Sequence, residues 1–288
     1  MAAEETQLGD LPEACLAHVI ALTSPRDACR CAAVSPAFRA AADSDHVWQR
    51  FIPELDQRQL ATTAAPCGAK ATKKAAYLGL CDGGVLVDGD GGCRVWLEKA
   101  SGAKCYALSA RRLNLPWDDG EFSWRWTPHP LSRFAEVAEL VDCTCMEIHG
   151  VLRAAALTPA TTYAAFLVYG TAKGHRGLSY PDQETVVAVG GRVLERHRVC
   201  LCPDDDETRK FRGAGLIAEC SVAVAGGDEP RRPRRRDDGW WEMEMGRLHT
   251  TTGAVGEQDE EVVASFEVLG FYTKRGLLVE AIEFRPVR

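Results

Sequence analysis

The sequence predicts an α+β protein in two parts, a small all-α module near the N-terminus followed by an all-β sandwich. Three observations lead there. Up to residue 53, capping residues with proline close behind them punctuate runs of helical periodicity. Beyond residue 105, short β-prone runs alternate with turn residues, and helical periodicity is scarce. Between them lies a stretch rich in Ala, Thr and Lys. The expected division is therefore a helical module over 8–53, a linker with a helix and a hairpin over 54–104, and a β-sandwich over 105–288.

The composition agrees with this division. The chain has 288 residues, 46% hydrophobic and 26% charged, which suffices for a large core with a smaller module beside it. A formal net charge of −7 argues against general nucleic-acid binding, which needs a basic surface. No apolar run approaches the roughly 20 residues that span a bilayer, and MAAEETQLGD has neither a basic n-region nor an apolar h-region. A soluble, unsecreted protein of the cytoplasm or nucleus is expected, with no membrane partner. The 12 cysteines then read as reduced thiols. Cys29/Cys31, Cys143/Cys145 and Cys200/Cys202 are spaced C-x-C rather than C-x-x-C, so no metal site and no cofactor are expected.

The first helix opens at Asp10-Leu11-Pro12-Glu13, an oxygen cap, a proline for the first turn and an acid at the positive dipole end. Leu11, Cys15, Leu16, Val19 and Ile20 then recur at helical spacing. Ser24-Pro25-Arg26-Asp27 and Ser35-Pro36 start two further helices, and Asp43-Ser44-Asp45 precedes a fourth that carries Val47, Trp48 and Phe51 and stops at Pro53. So small a unit is marginal alone, below the roughly 70 to 80 residues of a self-sufficient core, and should gain stability by docking an apolar face elsewhere.

The whole run LPEACLAHVIALTSPRDACRCAAVSPAFRAAADSDHVWQRFIP resembles the F-box of plant ubiquitin-ligase subunits. The resemblance implies binding to the SKP-type adaptor of a cullin ligase, with Leu11, Pro12, Leu16, Ile20, Leu22, Pro25 and Trp48 as the expected adaptor-binding residues. Trp48 reads equally well as intramolecular packing.

In the connector, Gly-Gly and Asp-Gly pairs separate Val85–Val87 from Val95–Leu97, which predicts a hairpin; the glycines lack the spacing of a phosphate loop. Further on, Met146–Val151, Tyr163–Tyr169, Thr185–Val189, Val193–Cys200, Leu216–Val224, Glu242–Gly246, Val262–Leu269 and Leu277–Phe284 read as strands of a sandwich. Arg231, Arg232, Arg234, Arg235 and Arg236, flanked by acids, read as a solvated loop.

Several blocks here, CYALSARRLNLPWDDGEFSWRW, SRFAEVAELVDCTCMEIHG, TTYAAFLVY, RRDDGWWEMEMG and KRGLLVEAIEFRP, resemble the plant phloem lectins in order. The resemblance implies a jelly-roll-like lectin domain that binds N-acetylglucosamine oligomers or N-glycans, with Trp117 and Trp124 as sugar platforms and Glu257 and Glu260 as carboxylates at the same site. An indole face suits the apolar face of a pyranose, and a carboxylate fixes its hydroxyls. Alternate residues share a sheet face, so Trp124 and Trp126 point the same way and at least one is expected in the core.

No nucleophile with its base, paired carboxylates or metal signature stands out, and His149 and His197 read as structural, so no catalysis is expected. The function expected is that of a substrate-recognition subunit of an SCF-type ubiquitin ligase, joining a target protein or glycoprotein to the adaptor. The alternative is a stand-alone lectin whose N-terminal helices cap the fold.

Overall fold

The computed structural model describes residues 11–53, 72–87, 89, 91–116, 123–180, 182–202, 230–251, 259–270 and 272–287. The expected strand Leu216–Val224 lies outside them. The chain divides into two compact units, Met1–Val87 with Arg94–Cys105, and Asp88–Cys93 with Tyr106–Arg288.

The first unit is built on α1 (Glu13–Ala21), α2 (Pro25–Cys31), α3 (Pro36–Asp43), α4 (Asp45–Phe51) and α5 (Lys73–Asp82). Local chemistry sets their starts. The Ser24 hydroxyl accepts from Asp27 N at 3.1 Å, and the Ser35 hydroxyl accepts from Phe38 N at 3.3 Å. Proline follows each cap, where its missing N–H costs nothing. At α1 the position differs from expectation: Pro12 is itself the cap, and its carbonyl accepts from Cys15 N and Leu16 N. Asp10 lies outside the described residues.

Leu16, Ile20, Ala28, Ala41, Val47 and Trp48 form a core that also takes Tyr77 and Leu80 from α5. Val85 and Leu97 complete it from β1 (Val85–Leu86) and β2 (Cys93–Leu97), which pair as an antiparallel hairpin. The Trp48 indole N–H donates to Ala42 O at 2.8 Å, and its ring lies 5.2 Å from that of Tyr77. Gly102, at φ +75°, lets the backbone pass close to Pro25: a Cβ there would sit 3.3 Å from the proline Cγ.

The second unit is the β-sandwich. One sheet runs β3 (Lys104–Ser109), β13 (Arg275–Pro286), β7 (Thr162–Arg176), β11 (Trp241–His249), β10 (Arg234–Arg235), with β5 (Val137–Leu140) also on β13 and β4 (Trp124–Thr127) on β5. The other runs β6 (Met146–Arg153), β12 (Glu261–Val268), β8 (Gln183–Val189), β9 (Arg192–Val199). The pairs within each are antiparallel. The two sheets close on one another: a Cβ on Gly150 of β6 would meet Ile282 of β13 at 3.1 Å, so the glycine permits the close approach.

Tyr163–Tyr169 of β7 is buried without alternation. Its second face is covered as well, because Trp240 and Val137 pack on Val168, and the Trp240 indole N–H donates to Leu131 O at 3.0 Å. No helix among the described residues is long and apolar enough to cross a membrane.

Candidate functional site

Helix α1 is apolar on two sides. Leu16, Ala17, Ile20 and Ala21 face the core. Leu11, Cys15, Val19 and Leu22 recur on the opposite flank, where Leu11 is 39%, Val19 55% and Leu22 67% exposed. Pro12 is exposed too, and Val34, just past α2, is 68% exposed. A groove of about 520 Å³ opens between α1 and α4, lined by Glu13, Ala14, Ala17, His18, Ser44 and His46, with the two imidazoles stacked at 6.0 Å. The unit thus fills its own core and still presents large apolar side chains outside.

This sorting corrects part of the expected adaptor-binding set. Leu16, Ile20 and Trp48 are each 2% exposed, and Pro25 is also buried, so none of these offers a partner a surface. The reason is volume, since a unit this small must spend its bulky apolar residues on its own interior. Leu11, Pro12 and Leu22 remain available. Val19 and Val34 join them; the signal for Val19 was the width of the apolar pattern on α1, too broad for one buried stripe.

In the sandwich, the structure describes two of the four expected sugar-site residues, Trp124 and Glu260. Trp124 is 3% exposed, and its indole N–H donates to Pro116 O at 3.1 Å, so the ring is a core element rather than an open platform. Trp126 is the more accessible of the pair, and it is capped by the Arg111 guanidinium 3.7 Å from its ring centroid. Glu260 is half-buried just ahead of β12, in the sheet to which β4 does not belong. Trp117 and Glu257 lie outside the described residues.

The arginine-rich segment is not simply solvated. Arg234 Nη2 meets Glu242 at 2.6 Å, and Arg236 meets Asp238 at 2.8 Å and Glu283 at 3.1 Å. Arg285 Nη2 reaches Glu242 at 2.7 Å, while Arg133 grips Glu280 at 2.6 Å and Glu283 at 2.5 Å. Glu242, Glu280 and Glu283 are at most 3% exposed. Burial pushes the Glu283 carboxyl up, but Arg133, Arg285 and Arg236 outweigh it and hold the group below its ordinary value. This arrangement is a clamp that fixes the segments around residues 133 and 236 to the sheet, with every carboxylate of the three matched by a guanidinium.

Comparison with known proteins agrees with both halves of the structure. The profile of the Phloem protein 2 family matches residues 103–286, and that of the F-box-like family matches residues 8–53. F-box protein PP2-B10 of Arabidopsis thaliana is 33% identical over 285 residues, covering 99% of this chain and 96% of that protein. F-box protein VBF of the same plant is 35% identical over 282 residues, covering 96% and 98%. A family 35 carbohydrate binding module from Clostridium thermocellum superposes with a TM-score of 0.32 at 8% identity, covering 64% of this chain and 98% of that one, a likeness that carries no argument. With an F-box match on the helices, a phloem protein 2 match on the sandwich and relatives aligned along nearly the whole length, the chain belongs to the plant F-box proteins of the phloem protein 2 family.

Proposed function

We propose that this protein is the substrate-recognition subunit of an SCF-type cullin ubiquitin ligase. The helical unit docks on an SKP-type adaptor through Leu11, Pro12, Val19, Leu22 and Val34, and the β-sandwich holds the target. The observation that carries this reading is the outward apolar flank of α1 on a unit whose own core is already closed. Exposed apolar side chains grouped on a helix match the way amphipathic helices are recognised by a groove. The chain itself performs no chemistry in this reading. It raises the target's effective concentration near the ubiquitin-loaded enzyme. The target is a protein or glycoprotein; with Trp124 in the core, an N-acetylglucosamine-containing glycan would rest on Trp117 with Glu257 or Glu260.

The test is capture by purified SKP-type adaptor, comparing the intact chain with a Leu11→Ala/Pro12→Ala variant and a Val19→Ala/Leu22→Ala variant, each checked for unaltered circular dichroism and melting. Each pair should weaken binding about tenfold or more, the loss of roughly 1.4 kcal/mol expected when interface anchors are truncated. Equal capture of all three, or none by the intact chain, overturns the reading.

A further inference from the structure

The second sheet carries a cluster that the proposed function does not use. Glu147 and His149 stand two residues apart on β6 and so share a face. That face points away from the core, since Met146 and Ile148 between and beside them are 1% and 0% exposed. Across on β12, Glu267 is paired with Glu147, and Ser265 with His149. One oxygen each from Glu147 and Glu267 and one imidazole nitrogen of His149 lie within 4.8 Å of one another. His149 Nε2 is 2.5 Å from Glu147 Oε1, and the Ser265 hydroxyl donates to Glu267 Oε1 at 3.4 Å.

The backbone beneath is held firmly. The His149 N–H donates to Asn114 O at 3.1 Å, and Asn114 N donates to His149 O at 2.8 Å. β12 is paired on both sides, by β6 and by β8. The charges, by contrast, are not matched. Among the described residues no lysine or arginine pairs with Glu147 or Glu267. Glu184, beside Glu267 on β8, takes Arg196 of β9, and Arg198 lies on that same farther strand. Glu147 Oε1 thus meets the His149 imidazole, and Glu267 stands opposite with the Ser265 hydroxyl on its Oε1, all three ligand candidates partly buried.

We infer that Glu147, His149 and Glu267 bind a divalent ion of the zinc class, with one imidazole nitrogen and one oxygen from each carboxylate as ligands. Metal–ligand bonds of about 2.0 to 2.2 Å place tetrahedral donor atoms about 3.3 to 3.6 Å apart. The cluster reaches that by opening the 2.5 Å contact and drawing Glu267 inward, both within the rotamer freedom of half-exposed glutamates. Three protein ligands leave a position for water or for a donor from another molecule. The ion would staple β6 to β12. The C-x-C cysteines gave no hint of this site because its ligands come from two strands that only the sheet register brings together.

The chain's 12 cysteines make zinc itself a poor reporter, so the probe is Co²⁺ titrated into the intact protein under reducing conditions, beside His149→Ala and Glu267→Gln. The difference spectrum of intact minus His149→Ala should show ligand-field bands of one cobalt without sulfur-to-metal charge transfer. Both variants should lose at least tenfold in affinity for that ion and lose the rise in melting temperature that Co²⁺ gives the intact chain. Variant folding is checked by circular dichroism, and Glu147→Gln serves as a third reading. Titrations that coincide for the intact chain and the variants, or a difference spectrum dominated by thiolate bands, overturn the assignment. Adaptor capture by the same variants should be unchanged, so failure here and failure of the adaptor reading are distinguishable.

Discussion

Glu283 is out of water, at 0% exposed, and stays ionised only because Arg133, Arg236 and Arg285 surround it. Removing the charge leaves three guanidiniums under-paired, so Glu283→Gln should destabilise the protein by about 3 to 5 kcal/mol, read as a lower urea midpoint. The direction of its pKa sets a pH dependence as well. The folded value is depressed below the unfolded one, so this carboxylate's stabilisation is complete above about pH 4.3 and is lost as pH falls through the lower folded value. Melting followed from pH 6 to pH 3 should show the intact chain weakening more steeply than Glu283→Gln; parallel curves would deny Glu283 this role. At the same scale, Arg236 shows where sequence reading fails. A run of arginines beside acids looks solvated in one dimension, and only the fold brings Glu283, 47 residues along the chain, beneath it together with Glu242 of the nearby β11.

Elements differ in how much of them is written locally. The starts of α2 and α3 were legible because a Ser cap and a following Pro act within one turn, and both caps make the expected bonds. At α2 the Ser24 hydroxyl also donates to Asp27 Oδ2 at 2.8 Å, which with Arg30 holds the Asp27 carboxyl below its usual value. Ser24→Ala should cost about 1 kcal/mol, measured by urea unfolding, whereas Ser24→Asp should recover most of it; equal losses in both would mean that the cap contributes nothing. Strands β7, β8, β12 and β13 were legible from β-branched and aromatic runs between turns. The short β4 and β5 were not, since four residues are too few for a periodic signal. Burial of Trp124 follows from that pairing: β4 lies along β5, and Trp124 is opposite Leu140, itself 1% exposed. The aromatic residue type suited a sugar platform, but its neighbours in the sheet decided that it packs inside.

Across the whole molecule, the F-box match stops at residue 53, yet the core that its helices enclose does not. Tyr77 of α5 lies against Trp48, and Leu80, Val85 and Leu97 complete the cluster. The Tyr77 hydroxyl donates toward Glu98 O and Lys99 O at 3.3 and 3.2 Å, tying the connector to the turn beyond β2. A 46-residue module is too small to bury enough apolar surface alone, which explains why its neighbours along the chain are recruited. The outward apolar flank of α1 is legible as surplus: its apolar residues exceed what one buried stripe can use, though their sorting into Leu16 and Ile20 inside, Leu11 and Leu22 outside, required the fold. This dependence is measurable in the full chain. Leu80→Ala, 1% exposed and far outside the F-box match, should lower the stability of the helical unit by about 2 to 5 kcal/mol in urea unfolding followed by Trp48 fluorescence. Adaptor capture should weaken with it near the new midpoint and recover at low temperature, because Leu80 has no surface to offer the adaptor. A loss below about 0.5 kcal/mol, within the range of surface substitutions, would show that residues 8–53 fold without α5.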